Sequence, residues 1–168
     1  MAETEDNGTL NSSDSLYSGI KMLGQLSSIY DRDVYSITMA GAGTIAIDFD
    51  ASTNNSYSDY FRVLLWDGYS TVASQETGKD TTFSAGVDQA GTYYVYIDKA
   101  DFHDDGQYGL TVTTSTGSVS NVETEDNGTF INADVLNAGV KKTGQLSTSS
   151  DLDVFKISVT SSAILSID

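Results

Sequence analysis

Residues 2–9 read AETEDNGT and residues 122–129 read VETEDNGT. Continued without a gap at an offset of 120, GIKMLGQLSS (19–28) meets GVKKTGQLST (139–148), DRDVYSI (31–37) meets DLDVFKI (151–157), and IAID (45–48) meets LSID (165–168). Of the 47 aligned positions, 21 are identical. A period this long signals tandem domains, because solenoid repeats run about 20–50 residues. The chain is therefore expected to hold a complete unit over residues 1–115, a linker at 116–121 within the Ser/Thr/Gly-rich stretch TTSTGSVSN (113–121), and the N-terminal part of a second, truncated copy over residues 122–168.

Within the first unit the hydrophobic period is two. Tyr35, Ile37 and Met39 alternate with Ser36 and Thr38, and Ile45, Ile47 and Phe49 alternate with Ala46 and Asp48. Phe61/Val63/Leu65, Tyr93/Val95/Ile97 and Tyr108/Leu110/Val112 form three more stripes. Each reads as a strand with one dry and one wet face. Turn residues separate them in AGAG (40–43), ASTNNSYSD (51–59), DG (67–68), QAG (89–91) and DDG (104–106). The expected fold is all-β, an antiparallel β-sandwich of jelly-roll type with a partial second copy. A short helix is expected near Asn11–Leu16, matched by Ile131–Leu136 in the copy.

Charge decides which partners to exclude. Asp and Glu total 24 against 8 Lys and Arg, a formal net charge of -16. Nucleic acid and anionic lipid both need basic clusters, so neither is expected as a partner. No apolar run approaches the roughly 20 residues of a membrane helix, so no membrane insertion is expected. With ten Tyr and six Phe, the chain is too aromatic for acidic disorder. There is no Cys, which rules out disulfides, thiolate metal sites and a Cys nucleophile. Met1 runs directly into Ala2-Glu3-Thr4-Glu5 with no secretory signal, which suits a segment of a larger exported protein.

Read in order, ETEDNGT, GQLSS (24–28), DRDVY (31–35), a strand ending in Asp, LLWDG (64–68), AGTYYVYI (90–97) and GQYGLTV (106–112) resemble the bacterial pre-peptidase C-terminal domain, a module of many secreted proteases and surface proteins. The chain is similar in this respect to the collagen-binding domains of clostridial collagenases. The resemblance spans about residues 2–115 and restarts at 122. It departs where the family has Pro and Asn after the second Glu, since Asp6-Asn7-Gly8 stands there.

Calcium is the cofactor this pattern supports, because calcium takes six to eight oxygen ligands. Glu3, Glu5 and Asn7 would form one row on an extended chain, and Asp31 and Asp33 another. Two acidic rows face to face repel unless a cation lies between them. The resemblance implies that arrangement, with Glu3, Glu5, Asn7, Asp31 and Asp33 as ligands and Ser28 as a further candidate. Glu123, Glu125, Asn127, Asp151 and Asp153 are their counterparts 120 residues on. A further acidic group, Asp98, Asp101, Asp104 and Asp105, reads as a solvated loop around His103, the single histidine.

No nucleophile motif is present, and paired acids carry no signal in so acidic a chain, so no enzymatic activity is expected. If the core stripes face inward, Trp66, Tyr94 and Tyr96 face outward as a candidate ligand-binding row. The function expected is a calcium-binding adhesion or binding module of a secreted or bacterial cell-surface protein, with an extracellular protein or glycan as partner. The alternatives are a structural spacer in a repeat adhesin, or an accessory domain aiding export or folding of a secreted peptidase. Unpaired strands in residues 139–168 would leave that stretch disordered or promote self-association.

Overall fold

The computed structural model describes residues 1–55 and 57–167, so Ser56 and Asp168, the last residue of the LSID match, lie outside it. Every one of the five stripes read between Tyr35 and Val112 is a strand. In chain order the strands are β1 (Asp14–Ser15), β2 (Lys21–Gly24), β3 (Arg32–Met39), β4 (Gly43–Asp50), β5 (Phe61–Trp66), β6 (Thr71–Thr77), β7 (Thr81–Val87), β8 (Gly91–Lys99), β9 (Tyr108–Thr116), β10 (Asp134–Val135) and β11 (Phe155–Lys156). A five-stranded sheet in the order β1-β3-β8-β5-β6 packs on a four-stranded sheet in the order β2-β9-β4-β7. The pairings are antiparallel except β1 with β3 and, separately, β10 with β11, which are parallel.

The alternating residues meet between the sheets. Tyr35, Ile37, Met39, Ile45, Ile47, Phe49, Phe61, Val63, Leu65, Val95, Ile97, Leu110 and Val112 all join one buried cluster. At its centre Phe49 meets Phe61 edge-on at 5.1 Å between ring centroids, and Tyr108 lies 5.4 Å from Phe49 and 5.8 Å from Phe61. Each such side chain contributes about 1.5–3 kcal/mol by leaving water. The expected short helix is a 3-10 turn over Leu10–Ser12, and the chain then enters β1, because Asp14 and Ser15 pair with Tyr35 and Ser36 of β3. Strands β2, β6 and β7 were not legible, since Ser, Gln, Gly and Thr interrupt their alternation.

Several contacts of the opening stretch recur 120 residues later, between residues 122 and 156. Ala2 bridges Leu23 as Val122 bridges Thr143. Asp14 pairs with Tyr35 as Asp134 pairs with Phe155, and Leu16 N–H donates to Ser36 as Leu136 N–H donates to Lys156. Beyond β11 the stripe expected over Val159, Leu165 and Ile167 forms no strand and is exposed. Apolar alternation makes a strand only where a partner supplies the ladder, and none lies beside it among the described residues. No helix among them is long and apolar enough to cross a membrane.

Candidate metal centre

Strand β3 delivers Asp33 to the interior, where it is fully buried. Its Oδ2 accepts a hydrogen bond from the Tyr108 hydroxyl at 2.5 Å, while its Oδ1 is buried with no partner. The Tyr108 and Tyr35 hydroxyls lie 2.6 Å apart, and Tyr35 donates to Glu3 Oε2 at 2.5 Å. Both tyrosines keep their rings in the core and turn polar tips to the acids. Gly24 makes this approach possible, because a Cβ there would collide with both phenols. Glu3 Oε1 also accepts from Gln25 N–H at 2.6 Å, which ties the N-terminal segment to β2.

Electrostatics mark the spot. Burial pushes the Asp33 carboxyl up to about 8, with the charges of Glu3 and Asp31 adding to the rise against the Tyr108 hydrogen bond. Burial and the charges of Asp31, Glu3 and Asp6 likewise raise Glu5. A site that makes its own acids hard to ionise favours whatever cation can compensate them.

The second set brings three carboxylates together. The donor oxygens of Glu123, Glu125 and Asp153 all lie within 4.8 Å of one another. Two oxygens on opposite sides of a cation at about 2.4 Å stand about 4.8 Å apart, so this triad could hold a metal ion. Glu125 Oε1, Asn127 Oδ1 and Asp153 Oδ1 are buried without a hydrogen-bond partner. Buried polar atoms are normally satisfied, and three unsatisfied oxygens in one place call for a ligand. Burial first, then the charge of neighbouring acids, raises Glu123 and Glu125 to about 7 and raises Asp153. The set holds only oxygen donors, which suits a hard cation.

The expected ligands do not all converge alike. Glu123, Glu125 and Asn127 all turn inward as a row, but in the first stretch Glu5 is exposed between half-buried Glu3 and buried Asn7. A bend there carries Asp6 into the left-handed region at φ 70°, which breaks the alternation. Asp31 and Asp151 sit on the loop before the strand, where each accepts from the N–H and hydroxyl of the serine four residues earlier, Ser27 and Ser147. Ser28 is exposed and its hydroxyl accepts from Tyr30 N–H, so it serves the loop turn, although it lines one open concavity with Glu5, Asp6 and Asp31.

Sequence reasoning missed Asp14 and Asp134. Asp14 accepts from Thr4 N–H at 2.7 Å and from Asn7 Nδ2 at 3.3 Å, and Asp134 accepts from Thr124 N–H at 2.9 Å. Both clamp the acidic segment from β1 or β10. Their identity at the offset of 120 was the available signal.

Away from the acids, Trp66, Tyr94 and Tyr96 are half-buried on the outer face of the five-stranded sheet. Trp66 stands 5.9 Å from Tyr96 and 6.4 Å from Tyr94, and the Arg32 guanidinium lies 5.7 Å over Tyr96. Asp98 corrects the solvated-loop reading. It closes β8 at 7% exposure, held by Arg32 at 3.1 Å and Arg62 at 2.6 Å. The other members behave as loop residues, with Asp104 accepting from Gly106 N–H and Thr53, and His103 Nε2 lying 3.0 Å from the Leu26 carbonyl.

No protein-family model matches the chain, and no curated protein matches it. Among solved structures it is similar to the pre-peptidase C-terminal domain of a collagenase from Bacillus anthracis, with 27% identity and a TM-score of 0.45, over 60% of this chain and 94% of that one. It is also similar to PliG of Aeromonas hydrophila, a periplasmic inhibitor of g-type lysozyme, with 8% identity and a TM-score of 0.49, over 61% of this chain and 96% of that one.

Proposed function

We propose that this chain is a non-catalytic, calcium-binding β-sandwich module of a secreted or bacterial cell-surface protein, made of a unit at residues 1–115, a linker at 116–121 and a second copy from 122. One observation carries the reading. The same carboxylate oxygen, Oδ1 of Asp33 and of Asp153, is buried and unsatisfied at two places 120 residues apart, and Glu125 and Asn127 add two more such oxygens beside the second. Glu3, Glu5, Asn7, Asp31 and Asp33 would hold one calcium site, and Glu123, Glu125, Asn127, Asp151 and Asp153 the other. Calcium fits better than magnesium, because a flexible oxygen cage of carboxylates and an amide suits its irregular coordination.

Bound calcium would supply the positive charge that lets these buried acids ionise together and would pin the N-terminal segment to the sandwich. The outer aromatic row of Trp66, Tyr94 and Tyr96, stiffened by ring contacts and by Arg32, supports contact with an extracellular protein or glycan. A spacer role is favoured instead if replacing that row leaves cell or matrix attachment unchanged. Thermal unfolding in calcium and in chelator tests the metal. A ligand at a hundred times its dissociation constant adds about 2.7 kcal/mol to the native state. An identical melting temperature in both buffers would sink the calcium reading.

A further inference from the structure

Strands β6 and β7 are the outermost strands on the same side of the sandwich, one in each sheet, so the side between them is open. Residues 122–125 and 143–145 lie along it. Gly86 of β7 forms a parallel bridge with Thr124, and Gln145 Nε2 donates to the Ser74 carbonyl of β6 at 2.6 Å. Val72, Ala73, Ala85 and Gly86 face Val122, Glu123 and Gly144 across a narrow cleft.

Gly86 distinguishes a built contact from an incidental one. It lies inside a strand, where glycine weakens the ladder, and its backbone is not in the left-handed region that would call for glycine. The three atoms nearest to a Cβ at this position all belong to the other stretch: the carbonyl oxygen and carbon of Glu123 and the Thr124 methyl, with the oxygen in outright collision. The missing side chain therefore serves the approach of residues 123–124. Gln145 supports the same conclusion. Its counterpart Gln25 donates to the Asp105 carbonyl of its own unit, whereas Gln145 reaches across to β6.

We propose that the β6–β7 side of the first unit is a receptor for residues 122–145, with Gly86 admitting the contact, so that successive repeats hold one fixed mutual orientation. Such an interface is heterologous, the tail side of one copy meeting the head of the next, and it covers two sheet edges that would otherwise be free to pair with other chains. The contact runs through backbone groups and Gln145 and not through the carboxylates that would hold a metal.

The chain has no cysteine, so spin labels at Thr113→Cys and Ser149→Cys report one distance between the stretches. The full chain should give a single narrow distance distribution in calcium, in chelator, or in both. Gly86→Val should broaden it severalfold and Gln145→Ala should broaden it less, while the melting of the sandwich is unchanged for both. A broad distribution in both buffers for the parent overturns the proposal. So does a Gly86→Val chain that is folded and as narrow as the parent, or one whose sandwich melts markedly lower, since glycine would then serve the first unit. Calcium-independent melting with a narrow distribution would remove the metal reading and leave the docking standing.

Discussion

Raising the pH from about 5 to about 8 in chelator should destabilise the fold, and Asp33 sets the size of the effect. Folding moves its pKa from 3.8 to about 8. The unfolded chain releases this proton near the ordinary carboxylate value, while the folded chain keeps it until the pH approaches 8. The folded state therefore binds more protons across that window, and stability falls as the pH rises through it. At about 1.4 kcal/mol per unit the full shift would be worth about 5–6 kcal/mol. About three of those units lie between pH 5 and pH 8, and half of that, because Asp33 is coupled to neighbouring acids, gives about 2 kcal/mol. For a chain of this size that is about 4–8 °C in melting temperature. Glu123 and Glu125, raised to about 7, act in the same direction, with less weight because solvent screens them more. General repulsion in a chain of net charge -16 also grows with pH. Asp33→Asn separates the two, since the amide keeps the neutral form at every pH and should remove most of the slope. Saturating calcium should flatten the parent profile, because a bound cation replaces the proton. A flat profile in chelator, or one as steep in Asp33→Asn as in the parent, would refute the electrostatic reasoning.

Three further outcomes are expected. Glu125→Gln or Asp153→Asn should weaken calcium binding at the second site at least about tenfold, roughly 1.4 kcal/mol, and leave the first unchanged. Isothermal titration showing equal loss at both sites, or at neither, would contradict the assignment. Asp98→Ala should cost about 2–4 kcal/mol in denaturant melts, because it strips a nearly buried carboxylate from two guanidiniums, whereas Asp101→Ala should stay within about 0.5 kcal/mol. Equal effects would mean that the Arg32–Asp98–Arg62 cluster does not hold the sheet face. Tyr108→Phe should weaken calcium at the first site more than it lowers stability, since the ring stays packed against Phe49 and Phe61 while the hydroxyl on Asp33 is lost; affinity unchanged from the parent would exclude that role.

The five core stripes and their inward faces were readable because side-chain alternation is a property of the chain one residue at a time. The recurrence of ETEDNGT and DxDV was readable for the same reason, and it picked out Asp33 and Asp153, whose Oδ1 atoms are both buried without a partner. What alternation could not show was where strands end up beside each other. β6 and β7 lack clean stripes, and only pairing with β5 and β4 makes them strands. Asp33 is buried where Tyr35 and Tyr108 converge from opposite sheets, 73 positions apart, at a glycine that leaves room for both rings. Asp98 looked like one of four loop acids until β3 and β5 flanked β8 and set Arg32 and Arg62 against it. Local sequence determined which residues are dry, which are acidic and that the pattern occurs twice. Non-local register determined which acids are desolvated together, and desolvation is what turns a negatively charged surface into a place for a cation.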